Sequence, residues 1–513
     1  MGEKYYLKIS RASDLEDKKE RIFFRFLEIF PGALSWSTLI FFILLSALKP
    51  VWVAIFIISF DLYWLVRTIY FSFHLRTAYK KMQEHEKIDW LKKVEKLSGF
   101  EKIYHLIVIP MYREPLEIVR ETFKSLERTD YPKEKMMVVL SREERGGERD
   151  KTTAQIIQKE FANKFFRFLV TCHPKNLPGE IAGKGSNETW AAKQAKEKII
   201  DPLKIPYENV IFSSLDADTV VFPKYFSCLT YHYLTIPNPT QASYQPIPLF
   251  INNIWEAPIF SRVFAFSSTF WHTMNQERPD RLWTFSSHSM SFKALVDVGF
   301  KLTNVVSDDS RIFWQCFLYY NGDYRTIPLY YPLSMDAIAS KNLWQTLKNL
   351  YRQQRRWAYG VGEIAYSIFG FLKNKNMALK FRRKISLLSE AIESHWSWAT
   401  APLLIFLLGW LPLLLGGQEF NQTLLSYNLP RFTSHILTIA MIGIIFSIYF
   451  SMLLLPPKPP DFGRYKYFIF AIQWFLFPLM MIFFSAFPAL DAQTHWMLGR
   501  YMGFWPTEKV RKQ

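Results

Sequence analysis

Val210-Ile211-Phe212-Ser213-Ser214-Leu215-Asp216-Ala217-Asp218 decides the fold: a short apolar run of strand character ends directly in two carboxylates one residue apart. In open parallel sheets, ligands collect in the crevice beyond the carboxyl ends of strands, which is where this pair falls. Working outward, further short apolar runs at 104–109, 136–140 and 166–171 alternate with polar helical stretches. That alternation predicts an α/β domain, Rossmann-like, with a mostly parallel sheet covered by helices. Pro115 opens one of the helical stretches, 115–128, and places Leu116, Val119, Phe123 and Leu126 on a single face.

Outside 98–335 the chain changes character. Half of its 513 residues are hydrophobic and 17% are aromatic, and the apolar residues are spread too unevenly for one water-soluble core. Apolar runs at 34–48 and 51–73 flank Lys49-Pro50 and predict a helical hairpin over 31–73. Lys18, Lys19, Arg21 and Arg25 precede it and Arg76, Lys80 and Lys81 follow, so both of its ends are expected in the cytoplasm. Further apolar segments at 394–415, 436–455 and 465–487 predict C-terminal transmembrane helices over 394–487. Lys458 and Arg464 place the loop 456–465 in the cytoplasm; three spans then put the basic tail, 488–513, outside, whereas Lys509, Arg511 and Lys512 argue for inside, which leaves the side of the C-terminus open. The opening segment, 1–30, is too charged for a cleaved leader and reads as a cytoplasmic N-terminal segment.

The formal charge of +18 is explained by retention of basic segments beside anionic lipid; no basic recognition helix of a nucleic-acid partner appears. Cys172, Cys228 and Cys316 are too widely separated for a disulfide framework or for the close Cys/His spacing of a zinc site, and all three are expected to be reduced and structural. Asp61 stands inside the second apolar run, where a carboxyl is costly. It either lines a wet path or pairs with another helix.

Each candidate for chemistry carries a plain structural alternative. Asp216 and Asp218 can share a hard divalent cation, Mg²⁺ or Mn²⁺, or form a solvated turn. Gly183-Lys184-Gly185-Ser186-Asn187 precedes a helical run at 188–198; it is either an anion-binding helix start with Lys184 adding charge, or a flexible loop with a cap. Ser307-Asp308-Asp309 opens an apolar helical run, where a carboxylate is a general base or only a complement to the helix dipole. Tyr351-Arg352-Gln353-Gln354-Arg355-Arg356-Trp357 puts Gln353, Arg356 and Trp357 on one helical face within an amphipathic stretch, 336–393, so that face meets either a substrate or the lipid surface.

In this order the motifs resemble the family 2 glycosyltransferases, and within them the cellulose synthase-like membrane enzymes. Ile109-Pro110-Met111-Tyr112-Arg113-Glu114 looks like the family's first strand and turn, which assigns Pro110, Tyr112 and Glu114 to the donor. Gly183-Lys184 is similar to the diphosphate-facing lysine motif, Asp216-Ala217-Asp218 to the metal-binding D-x-D, Ser307-Asp308-Asp309 to T-E-D, and Gln353, Arg356 and Trp357 to Q-x-x-R-W. The family's base-holding Asp after the second strand is absent, which leaves Glu143 or Glu144 in its place. His288, in Phe285-Ser286-Ser287-His288, falls near the acceptor segment, as an acceptor contact beside Trp357 or as a structural histidine.

The resemblance implies a catalytic domain over 98–335 at the cytoplasmic face of an integral, multi-pass protein of the plasma membrane. It implies an inverting transfer from a nucleotide-sugar donor, UDP-linked by default, to a glycan or lipid acceptor. Asp309 is the expected base and Asp216 and Asp218 the expected metal ligands. Lys184, Asp216, Gln353, Arg356 and Trp357 are expected around the donor, with membrane lipid and accessory export proteins as partners. Three functions follow: a processive polysaccharide synthase, a single-transfer enzyme on a lipid or polyprenyl-phosphate acceptor, and a non-catalytic membrane scaffold.

Overall fold

The computed structural model describes residues 4–460, 463 and 465–505; Arg464, Lys509, Arg511 and Lys512 lie outside the described residues. Helix α1 (Lys18–Leu48) is capped by the Asp17 side chain, which accepts the Glu20 N–H at 2.8 Å, so it starts inside the segment 1–30 rather than after it. Lys49 makes the turn, and Pro50, whose fixed φ suits a first helical position, opens α2 (Pro50–Lys87), a continuous helix of 38 residues. Ile40, Phe41, Ile43 and Leu44 of α1 and Trp52, Leu62 and Val66 of α2 face outward, an arrangement suited to lipid.

Four helices among the described residues are long and apolar enough to cross a membrane: α1, α2 and, near the C-terminus, Leu424–Leu453 and Tyr467–Met497. The apolar segment 394–415 does not form another. Its residues continue a helix, Phe381–Leu407, whose first half is polar, and the chain then breaks at Trp410 before the short helix Leu411–Leu415.

Between these helices lies the α/β domain. In chain order it comprises β1 (Tyr104–Met111), α3 (Leu116–Glu127), β2 (Met136–Glu143), β3 (Arg167–His173), α4 (Lys184–Ala195), β4 (Val210–Ser214), β5 (Val220–Val221) and α5 (Tyr225–Thr235). It continues with β6 (Ala242–Leu249), α6 (Ile259–Asn275), β7 (Ser289–Ser291), α7 (Asp308–Tyr319), β8 (Arg325–Ser334) and α8 (Leu343–Ala358). The strands form one eight-stranded sheet in the order β3-β2-β1-β4-β7-β6-β8-β5. β3, β2, β1 and β4 run parallel, with Ile107 of β1 beside Val138 of β2 and Ser213 of β4. β1, β2 and β4 are buried almost throughout because helices cover both faces, while β3, at the edge of the sheet, is mostly half-buried. Leu106 and Val108 pack toward α4 and α7, while Ile107 and Ile109 pack toward α3 and α5, as the two-residue period of a strand requires.

Beyond β4 the sheet is mixed rather than mostly parallel. The short β7 runs antiparallel to both β4 and β6, and β8 returns parallel to β6. Pro246 and Pro248 in β6 cannot donate ladder hydrogen bonds, and the β6–β8 register shifts between Gln245 and Ile247.

Candidate active site

β1 is flanked by β2 on one side and β4 on the other, so the crevice beyond its carboxyl end is a topological switch point. Pro110 lies at that end, and the chain then turns through Arg113 at φ 64°, with its N–H donated to Asp150 Oδ2 at 3.0 Å. The Glu114 carboxylate accepts the Tyr112 N–H, closing the turn. Glu143, at the end of β2, is buried in a bidentate pair with Arg145, whose guanidinium lies 4.0 Å over the Tyr112 ring. Pro110, Tyr112, Glu114 and Glu143 thus line one wall of the crevice.

Lys184 stands at the centre. The helix begins at Lys184, ahead of the expected 188–198 run, and Asn187 fixes it to the sheet by donating to the Ser141 carbonyl at 2.9 Å. A Cβ on Gly185 would lie 2.7 Å from Asp308 Cβ, so glycine is what lets the starts of α4 and α7 abut. The Lys184 ammonium is 2.7 Å from Asp216 Oδ1 and 2.9 Å from Asp309 Oδ2, joining the acidic strand end to the start of α7. Beneath it, the buried Lys301 donates to Glu188 at 2.6 Å, Asp309 at 3.1 Å and Asp308 at 3.2 Å. Ser286 donates to Asp216 from the far side.

This network separates the two neighbouring aspartates. Burial works to raise the Asp309 pKa, but Lys184 and Lys301 outweigh it and hold the carboxyl well below the usual range. Asp308 is deeper, and burial together with the charge of Asp309 pushes its pKa up. Asp309 keeps 21% of its side-chain surface exposed and lines the cavity in its ionised form. His288 stands behind the wall: fully buried, it bonds through Nδ1 to the Phe285 carbonyl at 2.8 Å and is absent from the cavity lining. Burial lowers its pKa to about 3, so it is neutral, and its position matches the structural histidine of the two readings.

Asp216 and Asp218 both line the cavity. Asp218 is buried, and its Oδ2 accepts the Asp336 N–H at 2.9 Å, which fixes the carboxylate. An oxygen-only pair on a cavity wall fits a hard divalent cation. Glu188, Asp308 and Asp309 also bring carboxylate oxygens within 4.8 Å of one another, but Lys301 is already bonded to all three. That cluster is a salt-bridge network.

Helix α8 starts at Asn342, whose side chain caps the Gln345 N–H at 2.8 Å. Gln353, Arg356 and Trp357 line the cavity together, as their spacing predicts, and the Arg356 guanidinium lies 4.6 Å over the Phe504 ring. Arg355 points elsewhere, to Asp491 at 3.1 Å. Trp344 is 74% exposed, so the same helix also presents an apolar outer edge. The cavity is about 1500 Å³ and runs on past Trp357 to Asp61 of α2, larger than the roughly 300–1,000 Å³ of an ordinary ligand pocket. Asp61 lines it with neither carboxylate oxygen hydrogen-bonded.

Sequence reasoning missed Lys301, Arg145, Ser286 and Phe504. Glu188 was within its reach, since it lies four residues after Lys184 on one helical face, whereas Lys301 sits in no recognisable motif.

No protein-family model and no curated protein matches the chain. In fold the chain is similar to the mannosyltransferase PcManGT from Pyrobaculum calidifontis, solved with GDP-Man and Mn²⁺. The likeness has a TM-score of 0.43 at 12% identity and covers 87% of this chain and 100% of that one. It is also similar to residues 1–349 of S. aureus TarS, solved with UDP-GlcNAc, with a TM-score of 0.35 at 12% identity, over 78% of this chain and 93% of that one. The chain itself is a mixed α/β protein with an open eight-stranded sheet, set between helices of membrane-spanning length.

Proposed function

We propose that this chain is a membrane-bound inverting glycosyltransferase that moves a sugar from a nucleotide-sugar, UDP-linked by default, to an acceptor hydroxyl in polysaccharide synthesis. The observation that carries this reading is Lys184 placed between Asp216 and Asp309, with Arg356 lining the same cavity. One side of the arrangement suits a diphosphate and the other a hydroxyl.

Tyr112 and Glu143 hold the base of the donor. Lys184 and Arg356 face its diphosphate, and Trp357 offers an indole plane to the sugar. Asp309 takes the proton of the acceptor hydroxyl as its oxygen forms the new bond to the anomeric carbon. The bond to the diphosphate breaks on the opposite face, so the configuration inverts. Asp216 and Asp218 would hold Mg²⁺ or Mn²⁺, which when bound neutralises negative charge on the diphosphate. Fixed cations at developing charge are among the largest contributions to catalysis, about 3–4 kcal/mol for a key donor. The cavity running on to Asp61 supports an acceptor that lengthens, with the catalytic domain at the cytoplasmic face of the plasma membrane.

A screen of nucleotide-sugars with the purified full-length protein, read by nucleotide release, tests the proposal. Release with one donor, with a ladder of products by mass spectrometry, is expected. A single added sugar would instead favour transfer to a lipid acceptor, and no release with any donor would leave a non-catalytic scaffold.

A further inference from the structure

A second cluster of metal-ligating groups lies away from the cavity. His85, in the last turn of α2, and Cys228 and His232, four residues apart on α5, bring one ligand atom each within 4.8 Å of one another. None of the three lines the cavity. We propose that they form a transition-metal site, best suited to Zn²⁺, that clamps the end of α2 to the α/β domain.

The chemistry of the ligands sets the choice of ion. Two imidazoles and a thiolate suit a borderline-soft cation such as Zn²⁺, whereas Mg²⁺ and Mn²⁺ prefer oxygen. Bond lengths of 2.0–2.3 Å place tetrahedral ligands about 3.5 Å apart, so atoms within 4.8 Å of one another need draw in by at most about 1.3 Å. Two further observations point to a ligand. His85 Nδ1 bonds to the Leu329 carbonyl at 2.9 Å, which fixes that nitrogen as the donor and leaves Nε2 with its lone pair; the Cys228 thiol donates to the same oxygen at 4.0 Å, a contact that metal binding would replace. A carbonyl behind a histidine is the usual support for a metal-bound imidazole. His232 Nε2 is buried and has no hydrogen-bond partner, a costly state that an ion relieves.

The surroundings are already ordered. Trp90 donates its indole N–H to the His85 carbonyl at 2.9 Å, and its ring lies 5.2 Å from His85 and 5.7 Å from His232. Nearby cations have other partners: Lys81 pairs with Glu277 at 2.9 Å, and Lys93 lies 5.3 Å from the Trp90 ring. Binding releases the Cys228 proton to solvent, and water completes the four-coordinate shell. The ion ties a membrane-spanning helix to α5 and to the strand carrying Leu329, β8.

Co²⁺ substitution of the full-length protein in detergent tests the site without any need for transfer activity. The expected result is a thiolate-to-cobalt charge-transfer band in the near ultraviolet, present in an Asp216→Ala/Asp218→Ala variant and absent in Cys228→Ser. Zn²⁺ loading should leave about one equivalent more metal on the wild type than on Cys228→Ser. A folded wild type whose Co²⁺ spectrum lacks the band, or whose zinc content equals that of Cys228→Ser, overturns the proposal. Because the spectrum is read on the wild type, it remains decisive if the variant fails to fold.

Discussion

Replacing Asp309 by Asn separates the proposed chemistry from binding. The substitution keeps the size of the side chain, and the backbone anchor survives because Thr284 Oγ1 donates to the Asp309 carbonyl oxygen at 2.6 Å. Lys184 loses one carboxylate but keeps Asp216 at 2.7 Å, and Lys301 keeps Glu188 at 2.6 Å and Asp308 at 3.2 Å. Donor binding should therefore persist. The amide cannot take a proton from a hydroxyl, and loss of a general base costs about 10²- to 10⁴-fold in rate. At 1.36 kcal/mol per factor of ten, that is about 3–5 kcal/mol in the barrier. The assay pairs nucleotide release under saturating donor with calorimetric titration of the donor nucleotide. Transfer within a few-fold of wild type, at unchanged nucleotide affinity, would refute the argument and point to another base, with Asp308 the nearest carboxylate.

Chelation of divalent metal should abolish transfer, and added Mn²⁺ or Mg²⁺ should restore it in the wild type but not in Asp218→Ala; chelator-resistant transfer would remove the metal from the reading. Lys301→Met removes a cation that holds the Asp309 carboxyl low, so its pKa rises. With Lys184 still beside it the carboxyl stays ionised near neutral pH, so the variant should show its effect as a lowered thermal midpoint, because Glu188, Asp308 and Asp309 lose their shared buried cation; an unchanged midpoint would show that Lys301 does not hold the cluster. Gly362→Ala places a Cβ 2.3 Å from the Trp496 ring, which is fixed by its N–H bond to the Tyr359 carbonyl. Overpacking of that kind costs about 1–3 kcal/mol and should lower the thermal midpoint in detergent, whereas an unchanged midpoint would mean that the ring can yield.

The parallel half of the sheet was legible because three of its four strands, β1, β2 and β4, are buried on both faces and read as apolar runs, as at Ile107 and Val138. The other half was not. β6 and β8 carry Pro246, Pro248, Pro328 and Pro332, residues that argue against interior strands, and the strands persist here around an irregular register. The same division holds in the site. Asp216, Lys184, Asp309 and Arg356 sit in motifs whose spacing places them at strand ends or on one helical face, and the structure brings all four to one cavity. Lys301 left no trace in the sequence because its role depends on burial among three carboxylates contributed by α4 and α7. His288 shows the reverse, a histidine in a suggestive position whose nitrogen is committed to a backbone carbonyl.

The unbroken length of α2 sets a phase. At 1.5 Å per residue its 38 residues extend about 57 Å, so about 27 Å of rigid helix remains beyond a hydrocarbon core of about 30 Å. Lys81 and His85, in that remainder, dock on Glu277 and the Leu329 carbonyl. One residue inserted between Phe73 and Lys81 turns the docking face by about 100° and breaks both contacts. Seven residues nearly restore the angle but lift the domain by about 10 Å. The helix thus works as a gauge: residue count, rather than a flexible tether, fixes how far the α/β domain stands from the apolar stretch of α2.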